Sequence, residues 1–256
     1  MTIDLFKIIA KHYQLQYGCF FSSIQVRDGI LYAYNDIIHC PIWNHCCFTP
    51  DSICDDIDQL MEEAKRYLAS RNRHPCVYID DRKKTKLDTV LSEKGFICVD
   101  NEAWLIYEGK RSQLQVNDTL EMKVVTNEQL LEGFIDICNS CFDIEYGETI
   151  RREYYQYQPH KTVFHCVLFL NTKRVAAASV YYSDNYFYIH NVGVLAEYRK
   201  HGYGYAVMTK VLEHIFSIDN MPIIILQCDG GGFVEQFYKK IGFSSIHRRW
   251  GYTYDG

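Results

Sequence analysis

The hydrophobic and polar positions of the chain repeat one arrangement in two places. Residues 75–107 and 222–254 each begin with a proline and a short apolar run, CVYI or IIIL, which predicts a buried strand. A polar segment then leads into a predicted helix, which ends at Lys94-Gly95-Phe96 in the first stretch and at Ile241-Gly242-Phe243 in the second. A glycine directly after a helix is typical of a left-handed cap. We expect a hairpin-like pair of short strands to close each stretch.

The segments upstream of these stretches also resemble each other. In the first half, QVRDGILYAYND predicts a hairpin that turns at Asp28-Gly29, and DDIDQLMEEAKRYLAS predicts a helix. In the second half, KTVFHCVLFL, RVAAASVYY and YFYIHNVGV predict three strands, with turns at Asn171-Thr172-Lys173 and Ser183-Asp184-Asn185. The apolar spacing of GYAVMTKVLEHIFS predicts a helix after the third strand.

This repetition predicts two α/β domains of like topology in tandem. A tryptophan, Trp104 or Trp250, recurs near the end of each repeated stretch. The segment from Glu108 to Thr119 is polar and lacks apolar periodicity, which indicates a linker. We therefore predict domains at 1–115 and 116–256.

Composition and charge limit the possible partners. The 256 residues are 48% hydrophobic, enough for a sizeable core, and carry a formal net charge of −5 without a long basic run. This charge weighs against nucleic acid or an acidic membrane as a partner. Asp4, Lys7 and Lys11 interrupt the apolar residues of the N-terminus, and no apolar run approaches the roughly 18 residues of a membrane span. We expect neither a signal peptide nor a membrane partner, and a cytoplasmic location.

The chain contains 11 cysteines, and an odd count without a secretory signal favours reduced thiols. One group, at 39–47, combines His39, Cys40, His45, Cys46 and Cys47 and has the residue types of a metal site. A second, Cys138-x-x-Cys141, lies in EQLLEGFIDICNSCF, whose apolar spacing places the two thiols one helical turn apart. No second C-x-x-C follows at zinc-ribbon spacing, so we interpret both groups as core side chains and expect no metal.

The segment VGVLAEYRKHGYGYAVMTKVLEHIF combines a strand, a short loop and an amphipathic helix. The first N–H groups of a helix lack internal acceptors, and the helix dipole adds positive charge at that end. Glycines at 202 and 204 let an anion approach closely, and Arg199 and Lys200 add charge nearby. The pattern is neither a dinucleotide fingerprint nor a Walker loop. It favours the binding of a pyrophosphate.

This segment resembles the acyl-CoA-binding motif of the GNAT superfamily of N-acetyltransferases, Arg/Gln-x-x-Gly-x-Gly/Ala after a strand that ends in valine. Phe237-Tyr238-Lys239-Lys240-Ile241-Gly242-Phe243 is similar to the helix end that follows in that family. The resemblance covers 120–256 and implies a mixed, mostly antiparallel sheet flanked by helices, with acetyl-CoA as cosubstrate. Its cofactor-binding residues are then Val192, Val194, Arg199, Lys200, His201, Gly202, Tyr203, Gly204 and Tyr205. Gly231 and Val234 depart from the family's usual Asn and Ala, which puts the cofactor contact of that Asn in doubt.

The first half resembles a GNAT fold that has lost its cofactor loop. The repeat maps the glycine loop onto residues 52–57, where no glycine remains and Asp55 and Asp56 occupy the expected helix start. Carboxylates cap a helix well but repel pyrophosphate. We expect this domain not to bind CoA, and instead to support the second domain and shape its acceptor cleft.

The resemblance implies an N-acyltransferase in which an amine attacks the thioester directly, in a ternary complex. Tyr238 is then the proton donor to the CoA thiolate, a role that suits a hydroxyl whose ordinary pKa is about 10. His190, on the strand that leads to Val194, is one candidate for the general base, and Asn191 cannot act as a base but could orient one. Because strand side chains alternate, we expect only one of the two to face the cleft. Asp143, Glu145 and Glu148 are a second source of the base. Asp143, Glu145 and Tyr146 are the candidate acceptor-binding residues.

The acceptor is expected to be an amine of a small molecule or of a protein. One alternative is a non-catalytic acyl-CoA sensor, and another is a toxin-like acetyltransferase that acts on aminoacyl-tRNA. The presence of Tyr238 favours a catalyst over a sensor, because a protein that only binds CoA needs no proton donor. The acidic net charge disfavours a tRNA substrate.

Overall fold

The computed structural model describes residues 4–18, 20–49, 52, 56–109, 120–142, 147–156 and 162–255. The chain divides into two compact units. The first unit consists of Met1–Leu105, Cys228–Gln236 and Ser245–Gly256, and the second of Ile106–Gln227 and Phe237–Ser244. The last part of the chain therefore contributes to both units. The predicted linker falls largely at 110–119, outside the described residues.

Among the described residues, the structure contains seven α-helices and eleven β-strands. Short 3-10 helices occur at Pro41–Trp43 and Ala196–Tyr198. The remaining elements are α1 (Leu5–Gln16), β1 (Ser23–Arg27), β2 (Ile30–Tyr34), β3 (His45–Phe48), α2 (Ile57–Ala69), β4 (Cys76–Asp80), α3 (Asp81–Glu93), β5 (Phe96–Tyr107), β6 (Leu120–Val124), α4 (Glu128–Cys141), α5 (Gly147–Gln156), β7 (Val163–Leu170), β8 (Lys173–Ser183), β9 (Tyr186–Val194), α6 (Tyr203–Ile218), β10 (Ile223–Asp229), α7 (Phe233–Ile241) and β11 (Phe243–Tyr254).

In the first unit the strands follow the order β1-β2-β3-β4-β11-β5. The β1–β2 hairpin confirms the predicted turn, with Asp28 at φ 50° and Gly29 at φ 75°. Strand β2 pairs antiparallel with β3, β3 runs parallel to β4, and β4 pairs antiparallel with β11. The core packs the apolar face of α2, with Leu60 and Leu68, against Val77 of β4 and Tyr252 of β11.

In the second unit the order is β10-β9-β8-β7-β6. Strands β6 to β9 pair antiparallel, and β9 runs parallel to β10. Asn171 and Asp184 adopt left-handed backbone conformations in the two predicted turns, at φ 55° and 53°. The predicted apolar stripe of α6 is buried. Both units thus show antiparallel strands followed by one parallel pair, which confirms the predicted tandem α/β architecture.

Two kinds of feature differ from the sequence interpretation. β5 and β11 are single long strands, whereas a pair of short strands was expected in each place. Asn101 explains this for β5, because its main-chain oxygen accepts from Gly230 N (2.7 Å) and its side chain donates to Gly230 O (3.0 Å), which keeps the segment extended. Helices α1 and α5 and strands β3 and β6 were not predicted, because each mixes polar with apolar positions. None of the described helices is long and apolar enough to cross a membrane.

Candidate functional site

The second unit contains a parallel strand pair that separates before its strands end. β9 and β10 pair from Tyr186 opposite Ile223 to Ile189 opposite Leu226, and the ladder ends there. β9 nevertheless runs on to Val194, and Gln227 of β10 also lies beyond the last pair. The carboxyl end of a parallel pair is where ligands commonly bind in α/β sheets. The cleft side of β9 therefore begins at His190.

A bulge lies in β9 at this point. Ala177 of β8 pairs with Gly193, but Ser179 pairs with His190, so β9 carries one extra residue across the gap. Asn191 lies within this bulge and has a left-handed backbone, with φ 52°. Its side-chain amide donates to Ser179 Oγ at 3.3 Å. A bulge redirects the side chains and backbone groups that follow it. At this point of β9, His190 is half-buried and Asn191 is buried.

The predicted phosphate loop connects β9 directly to α6. Lys200 and Gly202 both have positive φ, 65° and 83°, and Gly202 occupies the N-cap position without a side-chain hydrogen bond to the helix. The side chains of Asp4, Asp56, Asp80 and Asn127, by contrast, cap α1, α2, α3 and α4. The first intrahelical bond of α6 is Ala206 N to Gly202 O, so the N–H groups of 203–205 precede it. The start of α6 therefore presents N–H groups that have no acceptor within the helix.

The two helix-start glycines serve different purposes. A Cβ at Gly202 would meet nothing within 4 Å, so this position needs glycine only for its left-handed backbone. A Cβ at Gly204 would lie 3.3 Å from the Phe237 ring, so glycine here permits close packing of α6 against α7. Tyr205 adds a second link between these helices, because its hydroxyl donates to Lys240 O at 2.6 Å.

Arg199 fixes the loop to the end of β9. Its Nε donates to Val194 O at 3.0 Å, and its guanidinium also bonds the Cys141 thiol at the end of α4. Burial raises the pKa of Cys141, and Arg199 acts in the opposite direction. A Cβ at Gly193 would come within 2.9 Å of Cys141 Sγ, so α4 packs directly on the strand. Arg199, Gly193 and Cys141 together hold the cleft side of β9 in place.

Tyr238 lies on α7 and is 7% exposed. Its ring packs edge-on against Phe237 (5.0 Å between centroids) and Phe243 (6.0 Å). Within the second unit, Val192 and Val194 lie on β9, residues 199–205 lead into the first turn of α6, and Tyr238 lies on α7. Asp143, Glu145 and Tyr146 lie outside the described residues.

His190 belongs to a polar group at the separation point. The Tyr188 hydroxyl donates to Gln227 Oε1 at 2.8 Å and lies 3.3 Å from His190 Nδ1. Because a hydroxyl has one proton, the His190 contact requires the imidazole proton on Nδ1, which leaves Nε2 as the lone-pair nitrogen. Burial lowers the pKa of His190 to about 3, and nearby His165 adds to the effect. His190 is therefore neutral at physiological pH.

Two buried residues of the second unit were missed by the sequence interpretation. Glu153 of α5 and His165 of β7 are both 0% exposed, and Glu153 Oε2 lies 3.8 Å from His165 Nε2. The spacing of Thr149, Ile150 and Glu153 on one face of GETIRREYYQ was the available signal, because it sets a carboxylate among buried positions.

The corresponding helix start of the first unit already contains an anion. The Asp56 carboxylate caps α2 and accepts from the N–H groups of Asp58 (3.0 Å) and Gln59 (3.2 Å). A carboxylate in this position satisfies the donors that a pyrophosphate would need. Asp55 lies outside the described residues.

The histidine and cysteine group at 39–47 is held by ordinary contacts. His45 Nε2 bonds the Tyr13 hydroxyl at 2.8 Å and Nδ1 faces Ile42 O at 2.8 Å, while Cys46 is buried in the core of the first unit. Cys138 is buried on α4, one turn from Cys141. In the part of the chain that the structure describes, no three His, Cys, Asp or Glu residues are placed to hold a metal ion.

Residues 131–243 match the model of the Acetyltransferase (GNAT) family. This segment is a GNAT acetyltransferase domain. The GNAT match includes the β9 bulge, the loop to α6 and all of α7, and it ends at Phe243. No curated protein matches the chain in sequence.

Solved structures extend the GNAT fold to the whole chain. A GCN5-related N-acetyltransferase from Kribbella flavida has a TM-score of 0.73 at 15% identity, covering 100% of this chain and 97% of that one. A GCN5-related N-acetyltransferase from Sphaerobacter thermophilus has a TM-score of 0.67 at 9% identity, covering 96% and 84%. A tandem GNAT protein from the clavulanic acid biosynthesis pathway has a TM-score of 0.57 at 11% identity, covering 82% and 74%. At these identities the likeness shows a tandem GNAT fold.

Proposed function

We propose that the second unit is an acyl-CoA-dependent N-acyltransferase that uses acetyl-CoA and acetylates an amine of a small molecule or protein. The observation that carries this proposal is the separation of β9 from β10 beyond Ile189, followed directly by an uncapped α6. A GNAT domain with that arrangement has both a slot beside a strand edge and an anion-binding helix end. Amine acylation by direct attack in a ternary complex needs both at once.

The donor side of the site suits a pyrophosphate with an extended thioester arm. The N–H groups of 203–205 and the cationic side chain of Lys200 would hold the pyrophosphate, and Gly202 leaves the approach open. Val192 and Val194 would pair through their backbones with the amide-bearing arm. Backbone N–H groups near the bulge then polarise the thioester carbonyl, in the manner of an oxyanion hole. The cosubstrate supplies an activated acyl group and a thiolate leaving group.

Tyr238 is the proposed proton donor to that leaving group. Attack by the neutral amine forms a C–N bond and breaks the C–S bond, so the sulfur leaves with an electron pair and needs one proton. The packing of the Tyr238 ring between Phe237 and Phe243 fixes the direction of its hydroxyl. A positioned general acid of this kind contributes about 10²- to 10⁴-fold in rate.

The test is acyl transfer by the purified chain. Acetyl-CoA is supplied with a panel of primary amines, polyamines and lysine peptides, free thiol is measured continuously, and the acetylated product is identified by mass spectrometry. We expect amine-dependent thiol release above the hydrolysis rate measured without amine. Gly202→Glu, which places a carboxylate at the start of α6, is the negative control.

A chain that binds acetyl-CoA with micromolar affinity but acetylates no amine would overturn this proposal. That result would favour the acyl-CoA sensor, and a binding partner would then be sought on the first unit. Acetylation of aminoacyl-tRNA alone would instead favour the toxin-like activity.

A further inference from the structure

The first unit contains a parallel strand pair that also separates before its strands end. Cys46-Cys47 of β3 pair with Val77-Tyr78 of β4, and the ladder ends there. β3 nevertheless runs on to Phe48 and β4 to Asp80. Ligands commonly bind at the carboxyl ends of parallel strands. Because the Asp56 carboxylate already occupies the start of α2, a ligand of this unit would differ from a pyrophosphate.

A cavity of about 200 Å³ lies at the carboxyl ends of β3 and β4, and all of its lining residues belong to the first unit. Cys47 lines the cavity and lies 3.9 Å from the Tyr13 hydroxyl of α1. Cys46 packs instead in the same core as Leu60 of α2. Because successive side chains of a strand point to opposite faces, the cavity and α2 lie on opposite faces of the sheet.

Three polar side chains from two neighbouring strands line this cavity. Arg249 of β11 is directly opposite Asp80 of β4 in their antiparallel pair, so the two side chains share a face. His247 is two residues from Arg249 and lies on the same face, with Nδ1 3.7 Å from Asp80 Oδ2. Burial lowers the pKa of His247 to about 4, so its imidazole is uncharged at neutral pH.

Arg249 retains hydrogen-bond donors for a ligand. Its Nε donates to Glu102 Oε1 at 2.6 Å, its Nη2 to Glu102 Oε2 at 3.1 Å and its Nη1 to the Tyr13 hydroxyl at 2.6 Å. A guanidinium carries five N–H groups. Among the described residues, one N–H group on each Nη therefore lacks an acceptor, although the side chain is only 7% exposed. Buried donors are costly when they stay unsatisfied.

The charges at the cavity favour a neutral ligand at Arg249. Glu102 already balances the charge of Arg249, and Arg82 pairs with Asp80, with Nη2 2.7 Å from Oδ2. Lys83 also lines the cavity. A carboxylate at Arg249 would add a second buried negative charge beside Glu102, whereas a carbonyl oxygen accepts the same N–H groups without one. The Asp80 carboxylate is an acceptor, which suits a ligand that also carries N–H donors.

The walls of the cavity include two buried aromatic rings. Tyr78 and Trp104 line it and are 2% and 1% exposed. The Arg249 guanidinium lies 4.3 Å from the centroid of the Tyr78 ring, and the Trp104 ring lies 6.0 Å from that of His247. An apolar cavity of about 150 Å³ holds benzene. The cavity of about 200 Å³ therefore has room for one aromatic ring with a small polar substituent.

We propose that this cavity of the first unit binds a small aromatic carboxamide. The carbonyl oxygen of the ligand accepts from the two remaining N–H groups of Arg249, and its NH₂ group donates to Asp80. Its ring packs against Tyr78 and Trp104. Such binding requires neither acetyl-CoA nor acyl transfer, so it gives the first unit a ligand-binding role of its own.

The first experiment titrates the full chain with benzamide and, separately, with benzoate, which has the same shape and a negative charge. We expect calorimetry to give a Kd for benzamide of about 1 mM or lower, within reach of a ligand of this size. Benzoate should bind at least about tenfold more weakly, because its charge would lie beside Glu102. Absence of benzamide binding, or equal affinities for the two compounds, would overturn the proposal.

The second experiment compares Asp80→Asn with Asp56→Asn. Both aspartates cap a helix, and asparagine caps equally well, so both variants should fold. Only Asp80 lines the cavity. Because hydrogen bonds to charged groups are the stronger ones, we expect Asp80→Asn to raise the Kd for benzamide about tenfold and Asp56→Asn to leave it unchanged. The same Kd in both variants would overturn the role of Asp80 in the site.

A third measurement locates the ligand. Photolysis of 4-azidobenzamide on the full chain, followed by peptide mass spectrometry, should label peptides that contain residues 47–49, 78–83 or 104, and excess benzamide should prevent the labelling. Gly202→Glu, which alters only the start of α6, should bind benzamide with the wild-type Kd. Labelling confined to the second unit, or loss of benzamide binding in Gly202→Glu, would place the compound in the acyl-CoA site and overturn the proposal.

Discussion

Tyr238 has the chemistry of a proton donor and the surroundings of a core residue. It is 7% exposed and packed against two phenylalanines, so removal of its hydroxyl changes little of its packing. The side chain therefore permits a clean separation of chemical from structural effects.

We expect Tyr238→Phe to lower turnover by about 10²- to 10⁴-fold, because the departing thiolate loses its proton donor. The Kd for acetyl-CoA should stay within a few fold, since the phosphate-binding groups lie on α6. Single-turnover kinetics with calorimetric titration measure the two quantities. An unchanged turnover number, with chemistry rate-limiting, would assign Tyr238 to packing alone.

Glu153 also gives a prediction for stability. The pKa of Glu153 is raised to about 8 in the folded chain, so the folded chain holds a proton that the unfolded chain has released above its lower pKa. The stabilisation by the protonated form is complete below the unfolded pKa and is lost as the pH rises through about 8. Glu153→Gln removes this dependence. We expect the free energy of unfolding of wild type, relative to Glu153→Gln, to fall between pH 5 and 8 by a few kcal/mol, since each pKa unit corresponds to about 1.4 kcal/mol.

Urea denaturation of both chains at each pH measures this difference. His165 and His190, whose pKa values are lowered, act oppositely and lose their contribution as the pH falls below their unfolded pKa. They are present in both chains, so their effect cancels in the comparison. A difference that is constant with pH would mean that Glu153 is ionised in the folded chain.

The sequence predicts candidate site residues that are close together in the chain. It does not predict contacts between residues that lie on different elements and meet only in the folded structure. Arg199, Gly202 and Gly204 lie in one short segment at the start of α6, where their order already predicts a helix start without a side-chain cap. Glu153 and His165 lie on different elements, and α5 itself was not predicted. The bulge at Asn191 could not be predicted either, because an asparagine within a strand pattern does not by itself indicate a left-handed backbone.

At the scale of elements, the start of a helix distinguishes the two units. Asp56 fills the N-terminus of α2 with its own carboxylate, whereas Gly202 leaves that of α6 open. The strands around them follow the same pairing, so a few loop residues account for the difference between a helix start that a side chain caps and one that no side chain caps. The repeated pattern of strand, helix and glycine cap made this architecture predictable, while the length of β5 depended on the main-chain and side-chain hydrogen bonds between Asn101 and Gly230.

We expect Gly202→Glu to abolish binding of acetyl-CoA, because its carboxylate would project towards the N–H groups that we propose to hold the pyrophosphate. Gly109→Glu is the matched control, since Gly109 has a similar φ of 78° and an added Cβ also meets nothing within 4 Å. Both variants should lose about 1 kcal/mol of stability from backbone strain. Calorimetric titration and thermal melts distinguish the shared strain from the specific loss of binding. Equal affinities in the two variants would place the pyrophosphate elsewhere.

At the scale of the whole chain, the closed N-terminus of α2 determines how many cosubstrates bind. We expect one acetyl-CoA per chain, held by the second unit, because the Asp56 carboxylate already satisfies the equivalent donors of the first. Calorimetry should give a stoichiometry near one, and zero for Gly202→Glu. Two equivalent sites in wild type would show that the first unit retains a cofactor site.

The second whole-chain prediction concerns the fragment 116–256. It contains β11 without β4, although Arg249 to Thr253 pair with Asp80 to Cys76 in the first unit. An unpaired strand that carries Trp250, Tyr252 and Tyr254 exposes backbone donors and aromatic surface, which promotes aggregation. We expect the fragment to elute as aggregates in size-exclusion chromatography, with the full chain monodisperse under the same conditions. A folded, soluble and fully active fragment would show that the second domain is autonomous from residue 116.

The placement of β11 has a consequence for synthesis on the ribosome. Domains generally fold in the order in which they emerge, but the first unit buries Glu102 against Arg249, with Nε 2.6 Å from Oε1. Its core likewise needs Tyr252, which is synthesised among the last residues of the chain. The first unit therefore completes its fold last, although most of it is translated first. Its buried Glu102 has no Arg249 to pair with until the end of the chain has been synthesised. A premature stop near the 3′ end of the message would damage the amino-terminal unit more than the domain it interrupts.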